Sequence, residues 1–310
     1  MPKISVIMST YKEQEIFLRK AIESILNQSY EDFEYIIILD NPQNKEHKRI
    51  INEYANNDDR IRFFVNEQNM GLTASLNKGI KYATGEFICR MDADDISKYD
   101  RIEKQLLYLI QNNYDLIGGI TQMIDENDKP IYSIKSIPTD FNKIKKIIKY
   151  NQCLAHPTWI GKKELFIELD GYRNIPLCED YDFTLRAILK GYKVSNLNET
   201  VLQYRMTNNS LSRNNLLEQF LYAEFITNAY SNGHVANIEK AKKYVDKNNN
   251  VKKATRYSKA NKIFNDAINQ LEKRNYILFI LKGISIPFVS LTFLKKIYRF
   301  FMVQINSASR

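Results

Sequence analysis

The chain of 310 residues contains little cysteine and little glycine. Its three cysteines, Cys89, Cys153 and Cys178, are odd in number and show no C-x-x-C spacing, which is typical of neither a disulfide framework nor a thiolate metal site. A reducing compartment fits this content best. Glycine is also missing from Ser9-Thr10-Tyr11-Lys12, directly after the first predicted strand, so the chain lacks a Gly-rich phosphate loop there.

The N-terminus has no long apolar segment. Met1-Pro2-Lys3 is followed by only about six apolar-leaning residues, which is too few for a signal peptide, and these lead straight into a predicted strand. We therefore expect a protein that is not exported.

Apolar residues are plentiful: 44% of the chain is hydrophobic and 12% is aromatic. This composition and length suffice for one large domain, or for a domain with an appendage. The net charge of +9 is unevenly placed, because residues 236–310 hold 16 Lys and Arg against 4 Asp and Glu, a balance of +12. The remainder carries −3, so we expect the C-terminal end to meet an anionic surface and do not expect nucleic acid as a partner.

Near the C-terminus, residues 276–294 are mostly apolar but include Lys282 and Pro287. The segment is of borderline length for a membrane span, so an interfacial helix or a shallow re-entrant hairpin is the better prediction. A helix packed onto the domain is the open alternative. We expect four basic residues to face anionic headgroups: Lys282, Lys295, Lys296 and Arg299.

Apolar strand patterns alternate with helical patterns over the first ~120 residues. Predicted strands cover residues 4–9, 35–39, 61–65 and 87–91, and amphipathic helices lie between and after them. Runs such as Tyr35-Ile36-Ile37-Ile38-Leu39 indicate strands buried on both faces. The predicted fold class is therefore α/β, with a doubly wound, mostly parallel sheet that binds ligands at the carboxyl ends of its strands.

Polar side chains follow each predicted strand: Thr10, Tyr11 and Glu13; Asp40 and Asn41; Asn66 and Asn69. Each has an ordinary structural explanation as a helix cap, a turn residue or a packed aromatic. Their joint position on one rim favours a binding crevice.

The fourth strand ends in a cluster of carboxylates, Asp92, Asp94 and Asp95. Like charges this close disfavour their own ionisation, and a hard cation with oxygen ligands, Mg²⁺ or Mn²⁺, would relieve the repulsion. A solvated turn that caps the helix beginning near Asp100 is the structural alternative. A second acidic pair, Glu179 and Asp180, opens a later helix, where carboxylates also serve as ordinary caps.

Taken together, several segments resemble the family 2 glycosyltransferases, in the expected order and over roughly residues 3–212. They are Ile4-Ser5-Val6-Ile7-Met8-Ser9-Thr10-Tyr11, Ile25-Leu26-Asn27-Gln28-Ser29-Tyr30, Asn69-Met70-Gly71-Leu72, Gly85-Glu86-Phe87-Ile88, Arg90-Met91-Asp92-Ala93-Asp94-Asp95, His156-Pro157-Thr158 and Glu179-Asp180-Tyr181-Asp182. Within that family the chain looks most like bacterial exopolysaccharide and O-antigen hexosyltransferases, several of which are β1,3-galactosyltransferases. The resemblance implies a GT-A fold, a UDP-sugar donor, Mn²⁺ or Mg²⁺, inversion at the anomeric carbon and a glycan or lipid-linked acceptor.

The resemblance also implies roles for residues of the first two strands. Thr10, Tyr11 and Glu13 match positions that hold the nucleoside, and Asp40 matches the acid that recognises the base, usually uracil. We expect a GT-A domain over residues 1–214, with a nucleotide-binding half to 118 and an acceptor half from 119. A basic, helical, membrane-associating region would follow over 215–310.

Further matches concern the two acidic clusters. Asp92 would lie toward the ribose or a metal-bound water, Asp94 would bind the metal, and Asp95 would touch the sugar. Asp180 would be the catalytic base, with Glu179 beside it.

Two more segments carry over from the family. His156 lies where relatives also carry His-Pro, and Tyr204-Arg205, with Ser210 and Ser212, looks like the segment that closes over the diphosphate. The chain has Thr207 and Asn208 where relatives often show a histidine, which puts a metal or phosphate role of that segment in doubt.

The chemistry agrees with the residues themselves. A carboxylate-held cation and a positive side chain such as Arg205 would neutralise the departing diphosphate, while Asp180 takes the proton of the acceptor hydroxyl. Two other classes were weighed: a sugar-1-phosphate nucleotidyltransferase, which like a dehydrogenase should show the missing glycine loop, and a non-enzymatic membrane or nucleic-acid binder, which would leave the acidic clusters without purpose. The predicted location is the cytoplasm, peripheral on the inner face of the cell membrane.

Overall fold

The computed structural model describes residues 3–207 and 214–308. Asn208, Ser210 and Ser212, which the sequence assigns to a closing segment, lie outside the described residues. The chain divides into two compact units. Unit 1 comprises Met1–Lys145, Gln152–Asn174 and Glu179–Asn208, and unit 2 comprises Lys146–Asn151, Ile175–Cys178 and Asn209–Arg310.

Unit 1 is built on one nine-stranded sheet. Its strands are β1 (Ile4–Thr10), β2 (Phe33–Leu39), β3 (Ile61–Val65), β4 (Phe87–Asp92), β5 (Ile96–Ser97), β6 (Leu116–Ile124), β7 (Pro130–Ser133), β8 (Ile160–Lys162) and β9 (Val194–Arg205). They lie in the order β3-β2-β1-β4-β8-β6-β9-β5, with β7 paired to β6. The predicted α/β fold with a mostly parallel sheet is confirmed, because β1 to β4 pair in parallel, as do β6 and β9, while β8 runs antiparallel between the two groups.

Helices alternate with these strands. They are α1 (Glu15–Leu26), α2 (Lys45–Ala55), α3 (Leu72–Tyr82), α4 (Arg101–Gln111), α5 (Phe141–Ile147), α6 (Lys163–Glu168) and α7 (Glu179–Leu189), with a 3₁₀ turn at His156–Thr158. Every residue of β2 is buried, as its unbroken apolar run predicts. The predicted turn at residues 125–128 joins β6 to β7 as a hairpin, closed by the Asp125 N–H donating to the Lys129 carbonyl at 2.9 Å.

Strand register brings the predicted rim together. Ser9 of β1 is paired with Asp92 of β4, and Thr10 is paired with Leu39, the residue before Asp40. Because β1, β2 and β4 are parallel neighbours, their carboxyl ends meet at one edge. The nucleoside and metal candidates therefore share one edge of the sheet.

Unit 2 is helical. It contains α8 (Leu216–Ser231), α9 (Ile238–Asn248), α10 (Val251–Glu272), α11 (Tyr276–Val289) and α12 (Leu291–Ala308). The predicted apolar segment 276–294 is thus broken at Ser290, which lies between α11 and α12. Within the described residues, no helix combines the length and the hydrophobicity needed to cross a bilayer.

Candidate active site

At the end of β1, three predicted nucleoside residues form one hydrogen-bonded group. The Thr10 hydroxyl lies 2.6 Å from Glu13 Oε2, which also accepts the Tyr11 N–H at 2.8 Å. Tyr11 is 37% exposed, whereas Thr10 is buried. The group therefore presents the Tyr11 ring to solvent and holds Thr10 and Glu13 in place.

Sequence reasoning missed His47, which completes this group. The imidazole is buried on α2, with Nδ1 3.0 Å from the Thr10 hydroxyl and Nε2 2.8 Å from the Glu13 carbonyl oxygen. A single histidine in a polar helix carries no motif that would have revealed this contact.

Asp40 lies at the end of β2 and holds the turn before α3. One carboxylate oxygen accepts from the Asn66 amide at 2.7 Å and the Met70 N–H at 2.8 Å, and the other accepts from the Gly71 N–H at 2.8 Å. Gly71 has φ +83°, a left-handed conformation that favours glycine. Asp40 is 3% exposed, so its evident task is to shape this turn, and a contact with a base stays a prediction.

The three carboxylates after β4 differ in exposure. Asp92 and Asp94 are partly exposed, whereas Asp95 is fully buried and accepts the Arg205 N–H at 2.8 Å. Burial and the charges of Asp92 and Glu13 raise the pKa of Asp94 to about 7. Since Asp95 has no exposed surface, it offers no atom to a sugar in this conformation, and we assign it instead to anchoring β9.

Arg90 is the second residue that sequence reasoning missed. It lies on β4 two positions before Asp92, so the two side chains share a face of the strand, and they form an ion pair. Arg90 is 3% exposed, and its Nε finds no hydrogen-bond acceptor among the described residues. A buried guanidinium in the resemblance motif is therefore available to a further anion.

Asp92 and Asp94 fit a divalent cation by donor chemistry, because carboxylate oxygens are the ligands that Mg²⁺ and Mn²⁺ prefer. The negative charges that raise the pKa of Asp94 show an excess of negative potential, which a cation would offset. Over residues 3–207 and 214–308, no group of three or more acidic, histidine or cysteine side chains gathers as a metal cage. The protein could thus supply only part of a coordination sphere.

Arg205 ends β9 and is buried against the acidic cluster. Its Nε donates to the Asp94 carbonyl at 2.8 Å, its Nη1 donates to the Asp125 carbonyl at 3.0 Å, and its guanidinium lies over the Phe17 ring. Nη2 has no partner among the residues described. Any contact with a diphosphate, which stays a prediction, would have to use this one nitrogen.

The second acidic pair, Glu179 and Asp180, forms the first turn of α7. Burial and the neighbouring Asp180 charge raise the pKa of Glu179 to about 7. Burial also raises the pKa of Asp180, although the Tyr181 N–H at 2.7 Å, Gln152 and Arg90 oppose this. Raised carboxyl pKa values near neutrality are typical of proton-transfer groups.

Asp182, from the same motif, positions the helix. Its carboxylate accepts from Arg173 Nε at 2.9 Å and from Arg186 Nε at 2.8 Å. The other Arg186 nitrogens donate to the carbonyls of Leu169 and Gly171, at 2.6 and 2.8 Å. This buried network fixes the start of α7, so the motif divides into two half-buried site residues and one structural residue.

His156 belongs to an aromatic cluster behind α7. Its Nε2 lies 2.9 Å from the Tyr172 hydroxyl, and its ring packs edge-on against Trp159. Phe183 of α7 joins the cluster through Trp159 and Tyr172, and such ring pairs contribute about 0.5–1.5 kcal/mol each beyond burial. Burial and the Arg90 charge hold the pKa of His156 well below its usual range, so the ring is neutral and supports the site from within.

Electrostatics connect the two acidic clusters. The positive charge of Arg90 lowers the pKa values of Asp94 and Asp95 and also those of Glu179 and Asp180. The Asp92 charge in turn raises the pKa of Glu179. Both clusters thus lie within reach of one guanidinium and form a single site in unit 1.

Residues 5–170 match the family model described as "Glycosyl transferase family 2". An uncharacterized glycosyltransferase of Methanocaldococcus jannaschii is 38% identical over 72% of this chain and 78% of its own length. The O-antigen biosynthesis glycosyltransferase WbnJ of Escherichia coli is 34% identical over 74% and 92%. A further relative, the E. coli UDP-Gal:alpha-D-GlcNAc-diphosphoundecaprenol beta-1,3-galactosyltransferase, is 30% identical over 68% and 77%.

Among solved structures, S. aureus TarS 1-349 in complex with UDP-GlcNAc has a TM-score of 0.62 at 17% sequence identity. The match covers 98% of this chain and 89% of that one. At this identity the likeness shows the fold, which is GT-A-like as the resemblance implied.

Proposed function

The chain belongs to glycosyl transferase family 2 and is a glycosyltransferase, and we propose that it moves a hexose from a UDP-sugar to a glycan or lipid-linked acceptor with inversion. The observation that carries the proposal is the single site formed by the Asp92–Asp94 cluster and the Glu179–Asp180 pair under the charge of Arg90. The UDP-sugar complex of TarS and the names of the E. coli relatives support the donor class.

On the donor side, Thr10, Tyr11 and Glu13 would hold the nucleoside at the end of β1. Asp40 would contribute by shaping the turn at Gly71. A divalent cation, Mn²⁺ or Mg²⁺, held by Asp92 and Asp94 would neutralise the departing diphosphate. Arg90 keeps Asp92 oriented by their ion pair, and its free Nε can donate to the same anion.

On the acceptor side, Asp180 would act as base. The acceptor oxygen forms a bond to the anomeric carbon, the bond from that carbon to the diphosphate oxygen breaks, and the hydroxyl proton passes to the Asp180 carboxylate. Such proton transfer contributes typically about 10²–10⁴-fold. One displacement inverts the configuration, and no second nucleophilic carboxylate is required.

We place the reaction in bacterial surface polysaccharide synthesis, such as O-antigen or capsule. Two E. coli relatives support this assignment by name, one in O-antigen biosynthesis and one acting on a diphosphoundecaprenol acceptor. A lipid-linked acceptor would require the enzyme to work at the inner face of the cell membrane.

Thermal shift tests the proposal. UDP with Mn²⁺ should raise the melting temperature more than either component alone, and one UDP-hexose should add to the effect of UDP. A CDP- or GDP-sugar that stabilises the protein where no UDP-sugar does would overturn the assignment of the donor.

A further inference from the structure

Helix α11 exposes a row of large apolar side chains. Ile277, Leu281, Ile284 and Phe288 are 73%, 59%, 62% and 87% exposed. Spacings of four, three and four residues place them on one face of the helix. We call these four residues the α11 row.

The opposite face of α11 is occupied. Ile286 is buried, and Lys282 pairs with Asp266 of α10 at 3.6 Å. Helix α11 is thus packed on one side, as the alternative prediction held, and apolar and exposed on the other. A globular surface rarely exposes a contiguous apolar patch of this kind without a partner.

The same spacing recurs on α12. Leu294, Tyr298, Phe301 and Ile305 are 36%, 58%, 51% and 61% exposed. Phe293 on the same helix is fully buried against Tyr257 and Phe264 of α10. Both helices therefore bury one face in unit 2 and leave a second apolar face uncovered.

The basic residues expected at headgroups have other tasks, and that expectation is corrected here. Lys295 donates to Glu224 at 2.7 Å, Lys296 donates to Asn261 at 2.8 Å, and Arg299 donates to Thr227 and to the Lys149 carbonyl. With Lys282 held by Asp266, all four side chains have partners inside unit 2. They hold the helices together, so the apolar rows must supply most of any attraction to a membrane.

The surroundings of the rows are nevertheless cationic. The sequence has no Asp or Glu from Tyr276 to Arg310, and exposed Lys273 and Arg274 directly precede α11. Neither forms an ion pair within the part of the chain that the structure describes. A second copy of the chain would bring like charges together at this face, whereas an anionic lipid surface would offset them.

Helix length sets the mode of contact. Helix α11 has 14 residues and is about 21 Å long, shorter than the ~30 Å apolar core of a bilayer. Exposed Tyr276 and Tyr298 are of the type that settles at the boundary between headgroups and acyl chains. A helix of this kind lies along the membrane surface with its apolar side inward.

We propose that the α11 row and the exposed face of α12 dock onto an anionic lipid bilayer, with Lys273 and Arg274 at the headgroups. The purpose of docking, which is access to a lipid-linked acceptor, rests on the proposed function. The binding itself depends only on unit 2.

Flotation of the full-length protein with phosphatidylglycerol-containing vesicles tests this. The double variant Ile284→Glu/Phe288→Glu should lose at least ~10-fold in membrane partitioning, because it places charge in the inserted face. The matched control Val251→Glu/Ile167→Glu changes residues that are 85% and 60% exposed but lie outside both rows, and it should float like the wild type. Both variants should keep the wild-type melting temperature, since all four positions are solvent-exposed.

Lys273→Gln/Arg274→Gln should weaken flotation at low salt only, and it should not alter the weaker binding to phosphatidylcholine vesicles. Wild-type protein that fails to float, or a row variant that floats as well as wild type, would overturn the proposal. A lipid-free dimer that Ile284→Glu/Phe288→Glu converts to monomer would assign the face to a second copy instead. Transfer to a soluble acceptor, measured in parallel, separates the two proposals: its absence in floating wild-type protein would count against the transferase assignment alone.

Discussion

Arg90 forms a buried ion pair with Asp92, two residues further along the same strand. This one guanidinium also lowers the pKa values of Glu179 and Asp180 in the second acidic cluster. The proposed donor and acceptor carboxylates are therefore electrostatically coupled through a residue that touches only one of the clusters directly.

Removing this charge should shift the pH dependence of transfer. The base acts when deprotonated, so the rate rises with pH through its pKa, and loss of a nearby cation raises that pKa further. Arg90→Met should therefore move the acidic limb of kcat/KM to higher pH by about one unit or more, and Arg90→Lys should restore part of the shift. The control Arg60→Met, whose arginine pairs with Asp58, should leave the limb in place. An unmoved limb in Arg90→Met would refute the coupling.

Substitution of the proposed base should separate binding from chemistry. Asp180→Asn should bind UDP normally and lose transfer by at least about 10²-fold, because only the proton acceptor is removed. Glu179→Gln should cost less, since its carboxyl, with a pKa raised to about 7, is partly protonated at neutral pH. Calorimetry and initial rates measure the two effects. If Glu179→Gln abolishes turnover while Asp180→Asn retains it, the roles must be exchanged.

Metal dependence should appear only with nucleotide present. Two carboxylates leave most coordination positions to phosphate and water, so UDP should bind more tightly with Mn²⁺ than without it. Asp94→Asn should remove this difference and most activity, whereas Asp100→Asn, which alters an acid at the N-terminus of α4, should keep both. Equal UDP affinity with and without Mn²⁺ would argue against a metal at Asp92 and Asp94.

Asp40 should prove more important for stability than for base recognition. Asp40→Asn replaces a carboxylate oxygen by an amide group that cannot accept from the N–H groups of Met70 and Gly71. We expect a loss of about 1–3 kcal/mol in the free energy of unfolding, measured by urea denaturation. A variant of unchanged stability that loses only uridine selectivity would favour direct contact with the base.

Glu34 should make the fold sensitive to acid. Burial alone would raise the pKa of this carboxyl, but hydrogen bonds from Ser5, Thr84 and Arg62 lower it to about 2. A lowered pKa stabilises the fold above the unfolded value of about 4.5, and this contribution disappears as pH falls toward 2. Glu34→Gln should be less stable at pH 7 and should lose less stability than wild type between pH 5 and about 2. Parallel losses in the two proteins would contradict this.

Much of the catalytic unit was predictable from local pattern. Apolar runs such as β2 and the polar residues behind Leu39 and Met91 specify buried parallel strands with a polar rim, because strand periodicity and burial act over a few residues. The residue types Asp92 and Asp94 likewise indicate their chemistry without any structure.

Other features depend on residues far apart in the chain. His47 meets Thr10 across 37 positions, and the charge of Arg90 reaches the carboxylates of α7 only after β4 and that helix are packed in one unit. Charge count alone also misjudged the C-terminal region, because Lys295, Lys296 and Arg299 point to partners inside unit 2. The sequence by itself determined the elements, the family and the chemical groups at the rim. Tertiary structure decided which of those groups are buried, which are partnered and which remain free, since burial and pairing are properties of side chains brought together from distant positions.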